Sequence, residues 1–443
     1  MPPQIDASPT KDFFISILVR DVLLNAAIAD LVDNSIDGAL RISQETYEGL
    51  FVRVNFNGES FSIEDNCGGI PSEIAIHYAF RFGRPADMPK TKGSVGQFGV
   101  GMKRSLFKIG KTFNIVSIAE SSDFILEVDV DDWRKQVDAN GKEIWAFDFK
   151  ELHEDVNHDI RDCGTSITVT DLHESIAAEF RTENFKLRLI DDLRAKHQES
   201  LAKGLVIEVN EYTLTHDEAK LLSSSEIKPI RQTKNFEFED QPTVHVDIYA
   251  GVVKDSDPDK SGWYISCNGR MILRADKTRV TGWDEEFENV KIPKAHGQFA
   301  RFRGYVRFAC DNADLLPWNT TKSGLDTEST VYQAVKPEMI LAMRQVIDFL
   351  NKVDAEIDSE DSLLTEAIRR AGEVRLQELP ERTLFDFPEP QPSKPKPKEN
   401  RISYTVPSER ADLAKELLGV TKLKEVGERT FDYFMQMEAD ESA

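Results

Sequence analysis

Residues 27–39, AIADLVDNSIDGA, constrain this chain more than any other segment. Ile28, Leu31, Val32 and Ile36 recur at three- and four-residue spacing, which predicts an α-helix with a core-facing stripe. At about 100° per residue, Asp30, Asp33, Asn34 and Asp37 then share a sector roughly 100° wide on the opposite side. Asp33 and Asp37 are like charges four residues apart, a spacing that costs an isolated helix a few tenths of a kcal/mol. The sector is either a solvated face or a face held against a compensating cation.

Around this helix the chain is long, 443 residues, and 40% hydrophobic, which points to two globular domains with appendages. No run of about eighteen apolar residues and no basic-then-apolar amino terminus is present, so a cytoplasmic protein without membrane contact is expected. Cys67, Cys163, Cys267 and Cys310 are too scattered for a CxxC metal site or a disulfide framework, and reduced thiols are expected. A net charge of −23 repels nucleic acid at long range. DNA contact would therefore need a local basic surface. Arg270, Arg274, Lys277 and Arg279, with Arg301, Arg303 and Arg307, could form one, and solvated strand faces are the other reading.

Periodicity predicts an α+β fold. A helix from about residue 13 to 40 precedes a hairpin, FVRVNFN and SFSIED around GES. The turn DNCGGIP, a helix from Ile74 and a Gly, Pro and Lys loop lead to the helical MKRSLFKIG. Strand-like runs follow at FNIVSIAE, FILEVDVDD, IWAFDFK and TSITVTDL. A second set, GLVIEVN, VHVDIYAGVV, GWYISCNGRMIL and FRGYVRFACD, closes with a helix over 331–353. The expected organisation is a first domain over 1–180, a second over 181–353, a charged helix over 354–380, a Pro/Lys linker over 381–400 and a helical segment over 401–443.

Two glycine motifs accompany the acidic helix. DNCGG is turn chemistry when taken alone. In GSVGQFGVGMK, Gly96, Gly99 and Gly101 let backbone N–H groups approach a ligand where a helix begins, and the helix dipole there favours phosphate. A dinucleotide-binding reading needs a strand directly before the glycines, and a basic loop stands there instead. No GxxxxGK[ST] string occurs.

In order, the motifs resemble those of the GHKL superfamily of ATPases, which includes type II topoisomerase ATPase subunits, MutL, MORC proteins, ninety-kilodalton heat-shock chaperones and histidine kinases. Asp30 and Asn34 match the first motif. DNCGG matches Asp-x-Gly-x-Gly with Cys67 at the first glycine, Gly96, Gly99 and Gly101 match GxxGxG, and Gly164-Thr165 matches the Gly-Thr before a strand. YISCNGRMIL resembles the Asn-Gly-Arg strand of MutL and MORC transducer domains, and LLPWNTTKSGLD resembles the loop that delivers a lysine to the γ-phosphate. The resemblance spans about residues 13–350.

It implies a Bergerat-type sandwich of mixed sheet and helices, with ATP beneath a mobile lid, followed by an α/β transducer-like domain and a helical tail. By the resemblance Asn34 holds Mg2+, Asp30 is the base and Asp65 accepts from the adenine amino group with support from Thr165. Gly69 lets the chain pass the base, and Lys103 or, preferentially, Lys322 reaches phosphate. Arg81, Arg84, Lys90 and Lys92 fall in the lid region without an assigned role, and Cys67 is a small packed residue. Glutamate is usual at the base position, and aspartate is shorter by roughly an ångström, a displacement that can cost about a hundredfold. Slow ATP hydrolysis is expected. The resemblance further implies an ATP-dependent homodimeric clamp in DNA handling, repair or defence against foreign DNA, with DNA on the second domain and a protein partner on the tail. A chaperone-like or regulatory module with little hydrolysis is the competing function, and a topoisomerase ATPase subunit, which would require another chain, is a third.

Overall fold

Strand alternation builds two sheets in the computed structural model, which describes residues 9–20, 22–81, 83, 91–96, 101–319, 321–356, 362–389 and 402–439. Residues Met1–Pro388 and Glu389–Ala443 are separate units. In the first sheet β1 (Phe51–Phe56), β2 (Phe61–Asp65), β3 (Gly110–Ala119), β4 (Ser122–Asp129), β5 (Phe149–Glu154), β6 (Gly164–Leu172), β7 (Val206–Val209) and β8 (Tyr212–Thr213) lie in the order β5-β4-β3-β6-β2-β1-β7-β8. Alternate residues such as Val52, Val54, Phe61 and Ile63 turn into a core shared with the helices Leu24–Ile42, Gly101–Ile109 and Glu183–Lys196. Each such fully buried side chain contributes about 1.5–3 kcal/mol. The register pairs Asp65 with Thr165 across β2 and β6, which sets the second and fourth motifs side by side.

Three features differ from the periodic reading. The helix expected over 13–40 is two helices, Lys11–Arg20 and Leu24–Ile42, because Leu23 is extended at φ −68° and ψ 144°. In IWAFDFK the ladder begins only at Phe149; Phe147 instead packs on Trp133, with ring centroids 5.2 Å apart. GLVIEVN joins the first sheet, past the boundary drawn at residue 180. Its strand β7 runs parallel to β1, and a parallel neighbour needs a long crossover, supplied by the helices Glu174–Phe180, Glu183–Lys196 and Gln198–Ala202.

The second half contributes β9 (Lys220–Ser223), β10 (Ile230–Phe238), β11 (Gln241–Val252), β12 (Gly262–Cys267), β13 (Arg270–Asp276), the short hairpin β14 (Glu286–Phe287) and β15 (Val290–Lys291), β16 (Phe302–Ala309) and β17 (Gly372–Arg375). The second sheet has the order β10-β11-β16-β12-β13, with β12 and β16 parallel, and β17 pairs with β9 beside it. Trp263, Ile265, Val306 and Phe308 share a core with Met339, Met343, Val346 and Ile347 of the helix Thr330–Glu356. The charged segment after 354 is also part of this body: helix Leu363–Arg370 buries Leu364, Ala367 and Ile368. The expected linker starts later than residue 381, since Phe385 is buried and Arg382 and Asp386 bond the backbone of β10 and its lead-in.

The second unit holds the helices Ser408–Leu418 and Leu423–Ala439, turned by Gly419 in the left-handed region. All four cysteines are buried and free. Among the described residues no helix is long and apolar enough to cross a membrane.

Candidate active site

Within residues 27–39 every residue is buried except Asn34, so the acidic sector is not a solvated face. Asp30, Asp33 and Asp37 are 5%, 0% and 8% exposed, and each carboxylate is held by partners from distant segments. Arg104 Nη2 donates to Asp30 Oδ2 at 2.6 Å. Lys322 Nζ donates to Asp33 Oδ2 at 3.0 Å and stands 4.0 Å from Asp30 Oδ1. The N–H groups of Val95 and Gly96 donate to the two oxygens of Asp37 at 2.7 and 2.6 Å.

Asp33 is the centre of a buried network. Arg270 Nη1 lies 2.7 Å from His197 Nε2 and 3.5 Å from Asp33 Oδ1, while His197 Nε2 is 3.0 Å from the same oxygen. Burial and the neighbouring Arg270 push the His197 pKa down, outweighing Asp33. A neutral ring fits its bonds: Nδ1 donates to Leu193 O at 2.9 Å, and Nε2 accepts from Arg270. Burial alone would raise the Asp33 pKa, yet the charges of Arg270 and Lys322 hold it well below the usual carboxylate range. For Asp37 burial prevails over its backbone bonds and raises the pKa.

The second and fourth motifs meet at Asp65. Its Oδ2 accepts from Ser35 Oγ at 2.6 Å, and its Oδ1 accepts from the N–H groups of Cys67 at 2.9 Å and Thr165 at 3.3 Å. Burial raises its pKa despite these donors. Gly69 sits at φ +66°, and a Cβ there would lie 2.1 Å from Ile118 O, so no other residue fits. Burial pushes the Cys67 thiol up, in keeping with a packed, unreactive side chain.

The glycine segment joins the two lobes. Val95 is buried in the second core while its N–H reaches Asp37 in the first. Asn268 Nδ2 donates to Ser94 O at 3.2 Å and to Cys310 O at 3.0 Å. Asn268 and Gly269 have φ of 46° and 77° between β12 and β13, the conformation a two-residue Asn-Gly hairpin requires. This turn points Asn268 at the glycine segment, and Arg270 next to it enters the Asp33 network. Gly96 spends its N–H on Asp37, where a ligand contact was expected. Gly101 opens its helix against Asp30, whose Oδ2 would lie 3.4 Å from a Cβ there, and Gly99 lies outside the described residues.

Lys103 donates to Ala79 O at 2.7 Å, and burial lowers its pKa to about 7. Lys322 reaches the acidic helix from a loop in which it adopts φ +51°, an uncommon conformation for a residue with a side chain. Arg104 and His197 carry no motif and were not anticipated. Arg270 was read as basic surface, whereas it is 3% exposed. The only sequence signal for such partners was the uncompensated acidity of the helix itself.

Asn34 presents a neutral oxygen at the one exposed position of the buried run, with Gly96 close by: a Cβ on that glycine would lie 3.9 Å from Asn34 Oδ1. A single hard oxygen suits Mg2+, which keeps several waters and binds through phosphates. The neighbouring carboxylates are each engaged by protein groups, and the donor set therefore fits a nucleotide-borne Mg2+.

Residues 22–165 match the family model of histidine kinase-, DNA gyrase B- and HSP90-like ATPases. The matched span contains Asp30, Asn34, Asp65, Gly69, Gly96, Gly101 and Thr165, and it supports the GHKL superfamily for the first lobe. It ends before Asn268 and Lys322, so the likeness to MutL and MORC proteins rests on the motifs of the second lobe. No curated protein matches the chain.

Proposed function

We propose that this protein is a slow, Mg2+-dependent ATP hydrolase that works as an ATP-gated, dimerising clamp. The observation that carries the reading is the double attachment of residues 94–96, to Asp37 in the first lobe and to Asn268 in the second, beside the helix on which Lys322 lands. Asp65 accepts from the adenine amino group while Ser35, Cys67 and Thr165 hold its carboxylate in place. Guanine carries an acceptor at that position and is refused. Asn34 holds Mg2+, whose charge offsets that of the triphosphate.

Arg104 fixes Oδ2 of Asp30, and Oδ1 is left to orient the attacking water and take its proton. The carboxylate stands one methylene further back than a glutamate, which keeps turnover slow. Lys322 exchanges Asp33 for the γ-phosphate. Arg270 remains at 3.5 Å to compensate Asp33, so this change of partner moves the loop that carries Lys322 while β13 stays on the acidic helix as the pivot of the second lobe.

DNA handling is the proposed role of the clamp, through Arg274, Lys277, Arg279 and Arg301 of the second lobe, since Arg270 and Arg303 are buried. The competing module, chaperone-like or regulatory, is favoured by the tail, whose helices leave Leu413, Phe431 and Phe434 exposed for a protein partner. Salt-dependent DNA binding, with and without a non-hydrolysable ATP analogue, separates the two: binding in neither state leaves only the module.

Steady-state hydrolysis at several protein concentrations tests the enzyme itself. Asn34→Ala should abolish turnover, and Asp30→Ala should spare ATP binding while stopping hydrolysis. Wild-type-like hydrolysis in Asn34→Ala removes the central claim. A specific activity that rises with concentration reports the dimer.

A further inference from the structure

In β16 the alternation FRGYVRFA sends Phe302, Val306 and Phe308 into the second core and Arg303, Tyr305 and Arg307 to the opposite face. Parallel pairing sets Tyr264 of β12 beside Tyr305 and Ser266 beside Arg307. The two tyrosine rings stack with centroids 5.2 Å apart at 26°. This face is the floor of a cavity of about 820 Å³, walled by residues 194–203 on one side and by Arg375 and Glu378 on the other.

Eight lysine or arginine side chains line the cavity against four carboxylates, in a protein of net charge −23. Several of these cations are already compensated: Arg194 and Arg274 by Asp191, Lys196 by Asp192, and Arg375 by Glu218. The floor is different. Arg303 is 5% exposed and Arg307 half-buried, and among the described residues neither forms an ion pair: Asp255 and Asp257 act on Arg303 without bonding it, and Asp247, opposite Arg307 in the ladder, accepts from Thr233. Arg303 Nη1 donates to Ala300 O and Phe302 O, at 3.0 and 2.8 Å, while the Arg307 guanidinium rests 5.9 Å from the Tyr249 ring centroid. A buried guanidinium whose hydrogen bonds go to carbonyls and whose nearest carboxylates do not pair with it gains from an arriving anion.

We propose that this cavity is a second anion site, separate from the candidate ATP site, which takes a small polyphosphorylated molecule of nucleotide size. Guanidinium groups pair with phosphate oxygens in a bidentate fashion, and the volume lies within the usual range for small-molecule sites. The wall carboxylates Glu199, Asp217, Glu218 and Glu378 oppose an extended phosphate backbone, which favours a compact ligand over a nucleic-acid strand. The site also touches the acidic helix indirectly. Lys196 and Gly269 line it, and their chain neighbours His197 and Arg270 are the partners of Asp33.

The test uses the full chain carrying Asn34→Ala, without Mg2+, titrated calorimetrically with inorganic tripolyphosphate, so that failure of the ATPase reading cannot be confused with failure of this one. Saturable binding is expected, weakened at least tenfold by added Arg307→Gln and by added Arg303→Gln. Arg307→Gln decides the matter if the buried Arg303 variant loses its circular dichroism spectrum. No saturable binding, or binding indifferent to Arg307→Gln, overturns the proposal. It is also overturned if a single-stranded oligonucleotide binds the same residues more tightly than tripolyphosphate, since the groove would then serve nucleic acid.

Discussion

The acidic helix Leu24–Ile42 and the basic face of the second sheet carry opposite charges into one structural unit, and they resolve those charges differently. On the helix each buried carboxylate meets a specific protein donor: Arg104 for Asp30, Lys322 and Arg270 for Asp33, and backbone N–H groups for Asp37. On the sheet Arg303 donates to the Ala300 and Phe302 carbonyls and Arg307 rests against the Tyr249 ring, with Asp255, Asp257 and the cross-strand Asp247 nearby but none of them, among the described residues, in an ion pair with either arginine. A network whose carboxylates meet protein cations couples distant segments, even with Arg104 Nε and Arg270 Nε left without partners among the described residues, whereas cations without a paired carboxylate leave room for a ligand's anion.

The largest effect should come from breaking the network on the acidic helix. Asp33→Ala strands two cations in the interior, and a loss of about 3–5 kcal/mol is expected by urea denaturation. A loss below about 1 kcal/mol would show that the helix is not held by its partners. Because the Asp33 pKa is lowered in the folded state, its contribution is complete above the ordinary value of about 4 and fades as pH falls below it. The gap between wild type and Asp33→Asn should therefore narrow in acid.

Asn268→Gly keeps the positive φ but removes three hydrogen bonds, to Ser94 O, Cys310 O and Cys310 N. Roughly 1–3 kcal/mol should be lost, with faster amide exchange at Val95 and Gly96. Unchanged exchange there would mean that the second lobe does not hold the glycine segment.

Lys103 offers a pH-dependent contrast within the first lobe. Its pKa falls from 10.5 free to about 7 folded, so folding is most favoured above 10.5 and loses stability as pH drops towards 7. Lys103→Met should gain on wild type across that interval, measured as the difference in Tm. The smallest effect belongs to the basic face: Arg307→Gln should shift stability by no more than about 0.5 kcal/mol. A cost matching that of Asp33→Ala would erase the distinction between the two faces.

Much of this was legible beforehand because it is written in short-range order. The stripe Ile28, Leu31, Val32 and Ile36 marks the helix, and the alternation of β1, β2, β3, β4, β6 and β16 marks strands. The motifs also identified Asp65 with Thr165, which register then made neighbours. Arg104 and His197 were illegible, since no period or motif distinguishes them from other charged residues on amphipathic helices. The sheet to which GLVIEVN belongs was equally hidden, because β7 shows its alternation but not its partner β1.

By itself, then, the sequence determined where most helices and strands form and which segments match the motifs of GHKL-type ATPases, because backbone dihedrals and side-chain direction depend on near neighbours. Only the tertiary structure decided that Asn34 alone faces outward, that Asp33 binds a lysine 289 residues away, and that Arg270 is interior while Arg307 lines a cavity. The physical reason is that a buried charge must be matched in space, and nothing in its own stretch of chain records which distant residue will match it.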